Sequence, residues 1–317
     1  MRILFFGSAE FAVPCLNALV TRGYNVIAVV TQPDRPRGRG LHCEKSPVKL
    51  RSEELGIAPL QPRRVRSEKF IHAISSMKPD LFAVAAFGQI IPEPLLKLPP
   101  YGPINVHGSI LPKYRGAAPI QRALMAGETV TGVTTMWMDA TLDTGDILLT
   151  CSMPILSEDN AGSLTEKLSR LGAELLLKTV EGIQTGALER RMQVEEDASY
   201  APAINVEESF IQWDEPAVRL KDRLRGLTPR PGVYGLIRGK RIKFWNMEVS
   251  PERTDVSPGT ILEIEKRSTG VKVAGAAGTI AVLLEVQPES GKRMDASSWA
   301  RGFRLEPGER FHTLDEV

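Results

Sequence analysis

Residues 1–31 read MRILFFGSAEFAVPCLNALVTRGYNVIAVVT, and this N-terminal segment indicates the architecture of the first half of the chain. Two apolar runs, at 2–6 and 24–31, flank a helical pattern at 11–21, which is typical of a β–α–β unit. The alternation continues with strands predicted at 81–86, 103–107, 130–138 and 147–152, and with helices predicted at 69–77 and 162–183. We therefore predict an α/β domain built on a doubly wound, Rossmann-like parallel sheet.

A different pattern follows in the last third of the chain. Residues 189–208 are polar and lack periodicity, which indicates a linker. A helix is predicted next at 217–227, and then five short strands at 233–237, 241–249, 259–264, 271–274 and 279–286. Such strands favour a smaller C-terminal β-barrel of the OB type. The predicted organisation is a Rossmann-like domain at 1–187, a linker at 188–208 and the barrel at 209–317.

Length and composition agree with two globular domains. The chain has 317 residues, 42% hydrophobic and 25% charged, which excludes disorder, collagen and coiled coil as descriptions of the whole chain. Apolar runs stay shorter than the roughly 18–20 residues of a membrane span, and the apolar start is too short for a signal peptide. We expect a cytoplasmic protein without a membrane partner. Three cysteines and four histidines are scattered, so neither disulfides nor a metal site is predicted.

Three polar residues are candidates for catalysis. In the strand predicted at 103–107, Asn105 and His107 share one face near the carboxyl end, where open parallel sheets bind ligands. Asp143 follows the strand predicted at 130–138 in an LDTGD sequence, so two neighbouring strands could bring all three to one rim. The plainer alternatives are that Asn105 caps a turn, that His107 is an ordinary strand-end histidine and that Asp143 forms an Asx turn.

This trio suits acyl transfer to an amine. The amide of Asn105 and an N–H of His107 can stabilise the oxyanion that forms at an attacked carbonyl. Asp143 can orient the imidazole, favour its protonated form and accept or relay the proton of the amine. The loop at 108–112 would border the site. With no G-x-S-x-G motif and no cysteine beside these residues, direct transfer is favoured over a covalent intermediate, and the first loop lacks the G-x-G-x-x-G spacing of a nicotinamide enzyme.

Charge is segregated although the net charge is only +2. The loop at 33–49 is basic and long for a βα connection. Residues 219–243 carry nine basic side chains against the single acid Asp222, with Tyr234, Phe244 and Trp245 nearby. Both segments fit contact with a phosphate backbone, and the alternative is a solvated surface with a basic bias.

Several motifs resemble the methionyl-tRNA formyltransferase family over essentially the whole length. They are NVHGSILPKYRGAAPIQR at 105–122, GSAEFA at 7–12, TQPDRP at 31–36 with GRG at 38–40, LDTGD at 142–146, YAP at 200–202 and PRPG at 229–232. The N-x-H and D-T-G elements are shared with other folate-dependent formyltransferases. The RGAAPIQR run, the basic loop and the C-terminal domain are the elements that point to tRNA.

The resemblance implies a translation-initiation enzyme that moves a formyl group from 10-formyltetrahydrofolate, its co-substrate, to the α-amino group of methionine on initiator methionyl-tRNA, without a metal or an obligate protein partner. It implies that the first domain is catalytic, with Asn105, His107 and Asp143 as its trio, and that the barrel binds tRNA. The implied folate-bordering residues are Ser109, Ile110, Leu111 and Pro112. The implied tRNA contacts are Arg35, Arg37, Arg39, Lys45, Arg223, Arg230, Lys240 and Lys243.

The sequence departs from the family pattern at two positions. Ile110 stands where leucine is usual, a change of shape at nearly constant volume, and Phe87 stands where tyrosine is frequent. Two other formyltransferase classes share the trio, those acting on glycinamide ribonucleotide and on sugar nucleotides. The former typically lacks the barrel, and neither needs the basic loop. A non-catalytic RNA-binding protein would be expected to have lost one of the three polar residues.

Overall fold

The structure is a computed structural model that describes residues 1–37, 42–265 and 270–313; for 35–37 and 42 only the backbone is described. The chain forms two compact units. The first comprises Met1–Pro119, Val130–Pro154 and Thr165–Ala201, and the second comprises Ile120–Thr129, Ile155–Leu164 and Pro202–Val317. The domain boundaries near residues 187 and 208 stay a prediction.

The first unit is organised around one seven-stranded sheet. In chain order the strands of this half are β1 Arg2–Gly7, β2 Asn25–Val30, β3 Arg35–Arg37, β4 His42–Glu44, β5 Pro59–Leu60, β6 Leu81–Ala85, β7 Pro103–His107, β8 Val130–Trp137 and β9 Ile147–Pro154. The helices in the same half of the chain are α1 Val13–Thr21, α2 Pro47–Glu54, α3 Glu68–Ser76, α4 Glu93–Leu96, α5 Pro119–Ala126 and α6 Ala161–Thr185. Nearly all of α5 and the first four residues of α6 belong to the second unit. The sheet order is β5-β2-β1-β6-β7-β8-β9.

The predicted Rossmann-like fold class is confirmed, with one change of strand direction. Strands β5, β2, β1, β6 and β7 are parallel, whereas β8 is antiparallel to both β7 and β9. The central strands β1 and β6 are buried almost throughout. This burial explains their continuous apolar sequences, because parallel strands covered on both faces have no polar side.

The basic loop contains structure that the sequence analysis missed. Strands β3 and β4 pair as an antiparallel hairpin, with Arg35 opposite Glu44. Helix α2 begins directly after Ser46, whose hydroxyl accepts a hydrogen bond from the N–H of Lys49 at 3.0 Å. A serine followed by Pro47 is a known signal for a helix start, so this helix was detectable in the sequence.

The second unit contains an antiparallel sheet. Its elements are α7 Ala217–Leu227, β10 Val233–Ile237, β11 Lys240–Ser250, β12 Ile261–Ile264, β13 Val271–Ala274, β14 Ile280–Pro288, β15 Met294–Asp295 and α8 Ala296–Gly302. The strand order is β10-β11-β14-β13-β12, with β15 on β14. The predicted helix and all five predicted strands are present, and the predicted smaller C-terminal domain with its antiparallel β-structure is confirmed.

Residues 308–312 bridge the two edges of this sheet. The N–H of Ile261 donates to the carbonyl of Glu309 at 2.7 Å, and the N–H of His312 donates to the carbonyl of Leu236 at 2.8 Å. Trp213, Phe244 and Phe311 fill the interior. The barrel therefore has both an aromatic core and paired edges.

None of the helices in the described ranges is long and apolar enough to cross a membrane.

Candidate active site

Strand β7 presents two of the three predicted catalytic side chains. Asn105 lies between Val84 of β6 and Met136 of β8, and His107 pairs with Thr134 of β8. Alternate residues of a strand share a face, so the amide and the imidazole lie on the same side of the sheet. His107 is buried and Asn105 is partly buried.

Asp143 reaches this face by a route that the sequence analysis did not anticipate. Because β8 is antiparallel to β7, its last residue, Trp137, pairs with Ile104 near the start of β7. The C-terminal end of β8 therefore lies beside the N-terminal end of β7. The loop at 138–146 folds back toward β7, and it does so with Asp143 in a left-handed backbone conformation at φ 55°.

The three side chains converge on the carboxylate of Asp143. Its Oδ1 accepts a long hydrogen bond from Nδ2 of Asn105 at 3.4 Å, and its Oδ2 lies 3.6 Å from Nδ1 of His107. Oδ2 also accepts a hydrogen bond from the backbone N–H of Gly116 at 3.0 Å. The structure thus brings the predicted trio together.

The other ring nitrogen of His107 identifies the tautomer. Nε2 lies 2.9 Å from the carbonyl oxygen of Tyr114. A carbonyl oxygen only accepts hydrogen bonds, so Nε2 carries a proton in this arrangement. The neutral ring then has a lone pair on Nδ1 facing Asp143, and the protonated ring has an N–H there.

Hydrogen bonds hold the predicted folate-bordering segment beside β7 and β8. The hydroxyl of Ser109 donates to the carbonyl of Lys113 at 2.6 Å. The hydroxyl of Thr134 donates to the carbonyl of Ser109 at 2.8 Å and accepts from the N–H of Leu111 at 3.1 Å. Ser109 and Leu111 are buried, whereas Ile110 and Pro112 are partly exposed. Of the four side chains, Ile110 and Pro112 are the ones a ligand could reach.

Residues 191–201, which we call the strap, belong to the first unit and contact the candidate site. The sequence analysis predicted a linker here because these residues have no periodicity. In the structure they contact residues that are distant in the sequence. The side-chain amide of Gln193 donates to the carbonyls of Asp143 and Gly145, at 2.8 and 2.7 Å. Nε of Arg115 donates to the side-chain oxygen of Gln193 at 3.0 Å, and Arg115 is only 1% exposed. Sequence reasoning missed Gln193 and Arg115 as members of the site.

Phe87, which stands where the family often has tyrosine, is buried against Phe6, with ring centroids 5.4 Å apart. This apolar contact needs no hydroxyl group.

Of the predicted tRNA contacts in the basic loop, the structure describes the side chain of Lys45. Arg39 falls outside the described residues, and Arg35 and Arg37 are described only as backbone of β3. Lys45 forms an ion pair with Glu53 at 2.7 Å.

The predicted contacts of the second unit differ in availability. Arg223 is engaged internally, since it forms an ion pair with Glu215 at 2.7 Å. Arg230 and Lys240 are exposed. The ammonium of Lys243 donates to the carbonyl of Pro229 at 2.9 Å, and burial, together with the charge of Arg230, lowers its pKa.

Cations and aromatic rings alternate on the barrel surface around Lys243. Its ammonium lies 4.1 Å from the ring centre of Trp245. The guanidinium of Arg293 lies 5.0 Å from the same ring, and that of Arg241 lies 4.9 Å from the ring of Tyr234. Such a surface combines positive charge with stacking area.

Metal chemistry was not predicted from the sequence. Across residues 1–37, 42–265 and 270–313, no group of three or more His, Cys, Asp or Glu side chains is placed to hold a metal ion.

Comparisons with known proteins define the class of this enzyme. Residues 1–180 match the family model described as formyl transferase, and residues 203–304 match the model described as formyl transferase, C-terminal domain. The chain is therefore a formyl transferase.

Full-length relatives specify the family. Methionyl-tRNA formyltransferase of Geobacter sulfurreducens is 44% identical over 317 residues, covering 100% of this chain and 98% of that protein. The protein of the same name from Bacillus velezensis is 42% identical, covering 97% and 96%. The chain belongs to the methionyl-tRNA formyltransferase family.

Solved structures share the fold at low sequence identity. WlaRD, a sugar 3N-formyl transferase whose crystal structure was determined in the presence of dTDP and 5-N-formyl-THF, has a TM-score of 0.66 and 19% identity over 89% of this chain and 97% of its own. HypX from Aquifex aeolicus, in complex with tetrahydrofolic acid, has a TM-score of 0.64 and 18% identity over 98% of this chain and 48% of its own.

Proposed function

We propose that this enzyme transfers the formyl group of 10-formyltetrahydrofolate to the α-amino group of methionine on initiator methionyl-tRNA. The observation that carries the proposal is the convergence of Asn105, His107 and Asp143. The names of the full-length relatives support the tRNA substrate. The folates present in the solved structures of similar fold support the formyl donor.

The polar groups of the site fit a formyl donor. When bound, the folate supplies a formyl carbonyl that is electrophilic at carbon. Nδ2 of Asn105 carries two N–H groups, and one of them donates to Oδ1 of Asp143 at 3.4 Å. The second N–H can donate to the oxygen of the formyl group. The partly exposed side chains of Ile110 and Pro112 offer apolar contact beside these donors.

The trio then divides the work of acyl transfer. As the amine attacks the formyl carbon, Nδ2 of Asn105 and a protonated Nδ1 of His107 donate hydrogen bonds to the oxygen on which negative charge develops. Asp143, whose Oδ2 lies 3.6 Å from Nδ1, favours the protonated imidazole through its negative charge and takes up the proton that the attacking amine loses. The new C–N bond to methionine forms as the C–N bond to the donor breaks, and Asp143 relays the proton taken from the amine to the leaving nitrogen.

Direct transfer is favoured over a covalent intermediate by the burial of Ser109, which borders the site, and of Cys15, which lies on α1. The hydroxyl of Ser109 is buried and donates to the carbonyl of Lys113. Burial also raises the pKa of the Cys15 thiol to about 12, so this thiol is not a nucleophile at neutral pH.

We further propose that the barrel binds the tRNA backbone. The support is the exposure of Arg230 and Lys240 together with the cation–aromatic surface around Trp245. Phosphate contacts of this kind supply affinity without reading sequence.

The decisive experiment incubates the pure protein with 10-formyltetrahydrofolate and aminoacylated initiator tRNA and measures formyl-methionine. Parallel reactions contain glycinamide ribonucleotide or an amino-sugar nucleotide, and Asp143→Ala serves as the inactive control. We expect formylation of the tRNA alone. Preferential formylation of either small substrate would overturn the proposed acceptor, and a fully active Asp143→Ala would overturn the proposed site.

A further inference from the structure

We propose that Gln193 is a positioning residue that holds the backbone of the Asp143 loop in the geometry needed for formyl transfer. This inference rests on the proposed catalytic role of Asp143. It assigns the strap, residues 191–201, a part in catalysis that its linker-like sequence does not suggest.

The side chain of Gln193 uses both ends of its amide. Its Nε2 donates to the carbonyl of Asp143 at 2.8 Å and to that of Gly145 at 2.7 Å. Its Oε1 accepts a hydrogen bond from Nε of Arg115 at 3.0 Å. Two donors are thus directed at the carbonyls on either side of Thr144, which fixes the turn of this loop.

The hydrogen bonds from Gln193 act on a loop whose backbone is in an uncommon conformation. Asp143 has a φ of 55°, in the left-handed region that aspartate enters more readily than most residues with a side chain. Its neighbour Leu142 is exposed, so hydrophobic packing of that side chain does not hold the loop. The hydrogen bonds from Gln193 stabilise this backbone directly.

The strap also holds the segment that contacts the other side of the trio. The N–H of Arg115 donates to the carbonyl of Ser199 at 2.8 Å, and the N–H of Ala201 donates to the carbonyl of Arg115 at 2.7 Å. The N–H of Tyr114 donates to the hydroxyl of Ser199 at 2.9 Å.

The strap thereby holds residues 114–116, which contact both His107 and Asp143. The carbonyl of Tyr114 accepts from His107, and the N–H of Gly116 donates to Asp143. Residues that orient catalytic groups through hydrogen bonds commonly affect rate without touching the substrate. Gln193 acts in this way, through Asp143.

The test compares kcat and KM of Gln193→Ala, Gln193→Glu and Met192→Ala. Met192 is the adjacent residue and is 85% exposed, so it is the matched control for truncation within the strap. Gln193→Glu keeps the size of the side chain but removes both N–H donors, which separates hydrogen bonding from packing.

We expect Gln193→Ala and Gln193→Glu to lower kcat about 10- to 100-fold, with KM for both substrates within about twofold of the wild type. Met192→Ala is expected to keep the wild-type kcat. A wild-type kcat in Gln193→Glu would overturn the proposal, and so would an effect of the two Gln193 variants on KM alone. If Gln193→Ala unfolds below the assay temperature, the result of Gln193→Glu decides.

A double-variant cycle distinguishes positioning from general stability. Because Gln193 is proposed to act through Asp143, Gln193→Ala should change the residual rate of Asp143→Ala less than about twofold. An undiminished loss in that background would overturn the inference while leaving the proposed function intact. A fully active Asp143→Ala would instead contradict the proposed function itself.

Discussion

The Nε2 atom of His107 lies 2.9 Å from the carbonyl oxygen of Tyr114, and this contact fixes which ring nitrogen faces the carboxylate. Nδ1, not Nε2, lies 3.6 Å from Oδ2 of Asp143. The proposed hydrogen bond from the histidine to the forming oxyanion therefore requires a proton on Nδ1, because Nε2 is already engaged with Tyr114.

The first prediction concerns His107→Gln. A glutamine amide can still donate to the carbonyl of Tyr114 from its Nε2, but it has no group equivalent to Nδ1. We expect kcat to fall about 10²- to 10³-fold, with a melting temperature close to that of the wild type. Steady-state kinetics and thermal unfolding measure the two effects. Wild-type turnover in this variant would show that Nδ1 does not contribute.

The second prediction concerns Asn105→Ala. We propose that its Nδ2 acts in the transition state, in which the oxygen carries more charge than in the bound substrate. We expect a loss of about 10²- to 10³-fold in kcat, with KM for the folate and the tRNA largely kept. If the loss appeared in KM alone, Asn105 would be a binding residue instead.

The sequence predicted those parts of the site that depend on local pattern. The period-2 alternation of a strand was enough to place Asn105 and His107 on one face. The position of Asp143 depends on the antiparallel direction of β8, which apolar runs do not reveal because buried strands of either direction have similar composition. Gln193 contacts a loop 48 to 50 residues away, and no local periodicity encodes such a contact.

Counting the charges within residues 219–243 overlooks acidic residues that are distant in sequence but close in the fold. The cations at 219–243 appeared to face one acid, yet acids from distant segments pair with several of them. Glu248 pairs with Lys221, Glu215 with Arg223 and Glu309 with Arg238. A local tally therefore overstates the free positive charge of the surface.

The third prediction concerns Gly145→Ala. A Cβ atom at this position would lie 1.8 Å from the carbonyl oxygen of Trp137, so the loop that carries Asp143 would have to move. We expect a loss of roughly 3 kcal/mol or more in stability and a strongly reduced kcat. Gly302→Ala is the control, because a Cβ there meets nothing within 4 Å. Urea unfolding and kinetics of both variants check this, and a Gly145→Ala protein with wild-type values would contradict the reported packing.

The fourth prediction concerns the pH dependence of stability. The guanidinium of Arg122 forms an ion pair with Glu208 and holds the pKa of that carboxyl below its ordinary 4.5; partial burial opposes this, and the N–H of Asn205 adds to it. A lowered folded-state pKa stabilises the protein above the unfolded pKa, and this contribution disappears as the pH falls through the folded-state value.

Glu208→Gln should therefore destabilise the protein by about 1–2 kcal/mol at pH 7, and by progressively less as the pH falls below 4.5. Urea unfolding of wild type and variant between pH 3 and pH 7 measures this difference. Glu207→Gln is the control, since Glu207 is adjacent and exposed. A difference independent of pH would mean that the charge of Glu208 is not what stabilises the fold.

The fifth prediction separates cations that bind tRNA from cations that stabilise the barrel. Arg230 and Lys240 are exposed, so replacing each by alanine should weaken tRNA binding, lower the slope of log affinity against log salt by about 1 and leave the melting temperature unchanged.

Arg223, by contrast, is engaged with Glu215 and with the carbonyl of Glu208. Its replacement by alanine should lower the melting temperature and leave the salt slope unchanged, because a guanidinium already neutralised by a carboxylate releases few counterions on binding. Titrations of initiator tRNA at several salt concentrations decide the matter. If Arg223→Ala changed the slope while Arg230→Ala and Lys240→Ala did not, the tRNA would contact a different face of the barrel.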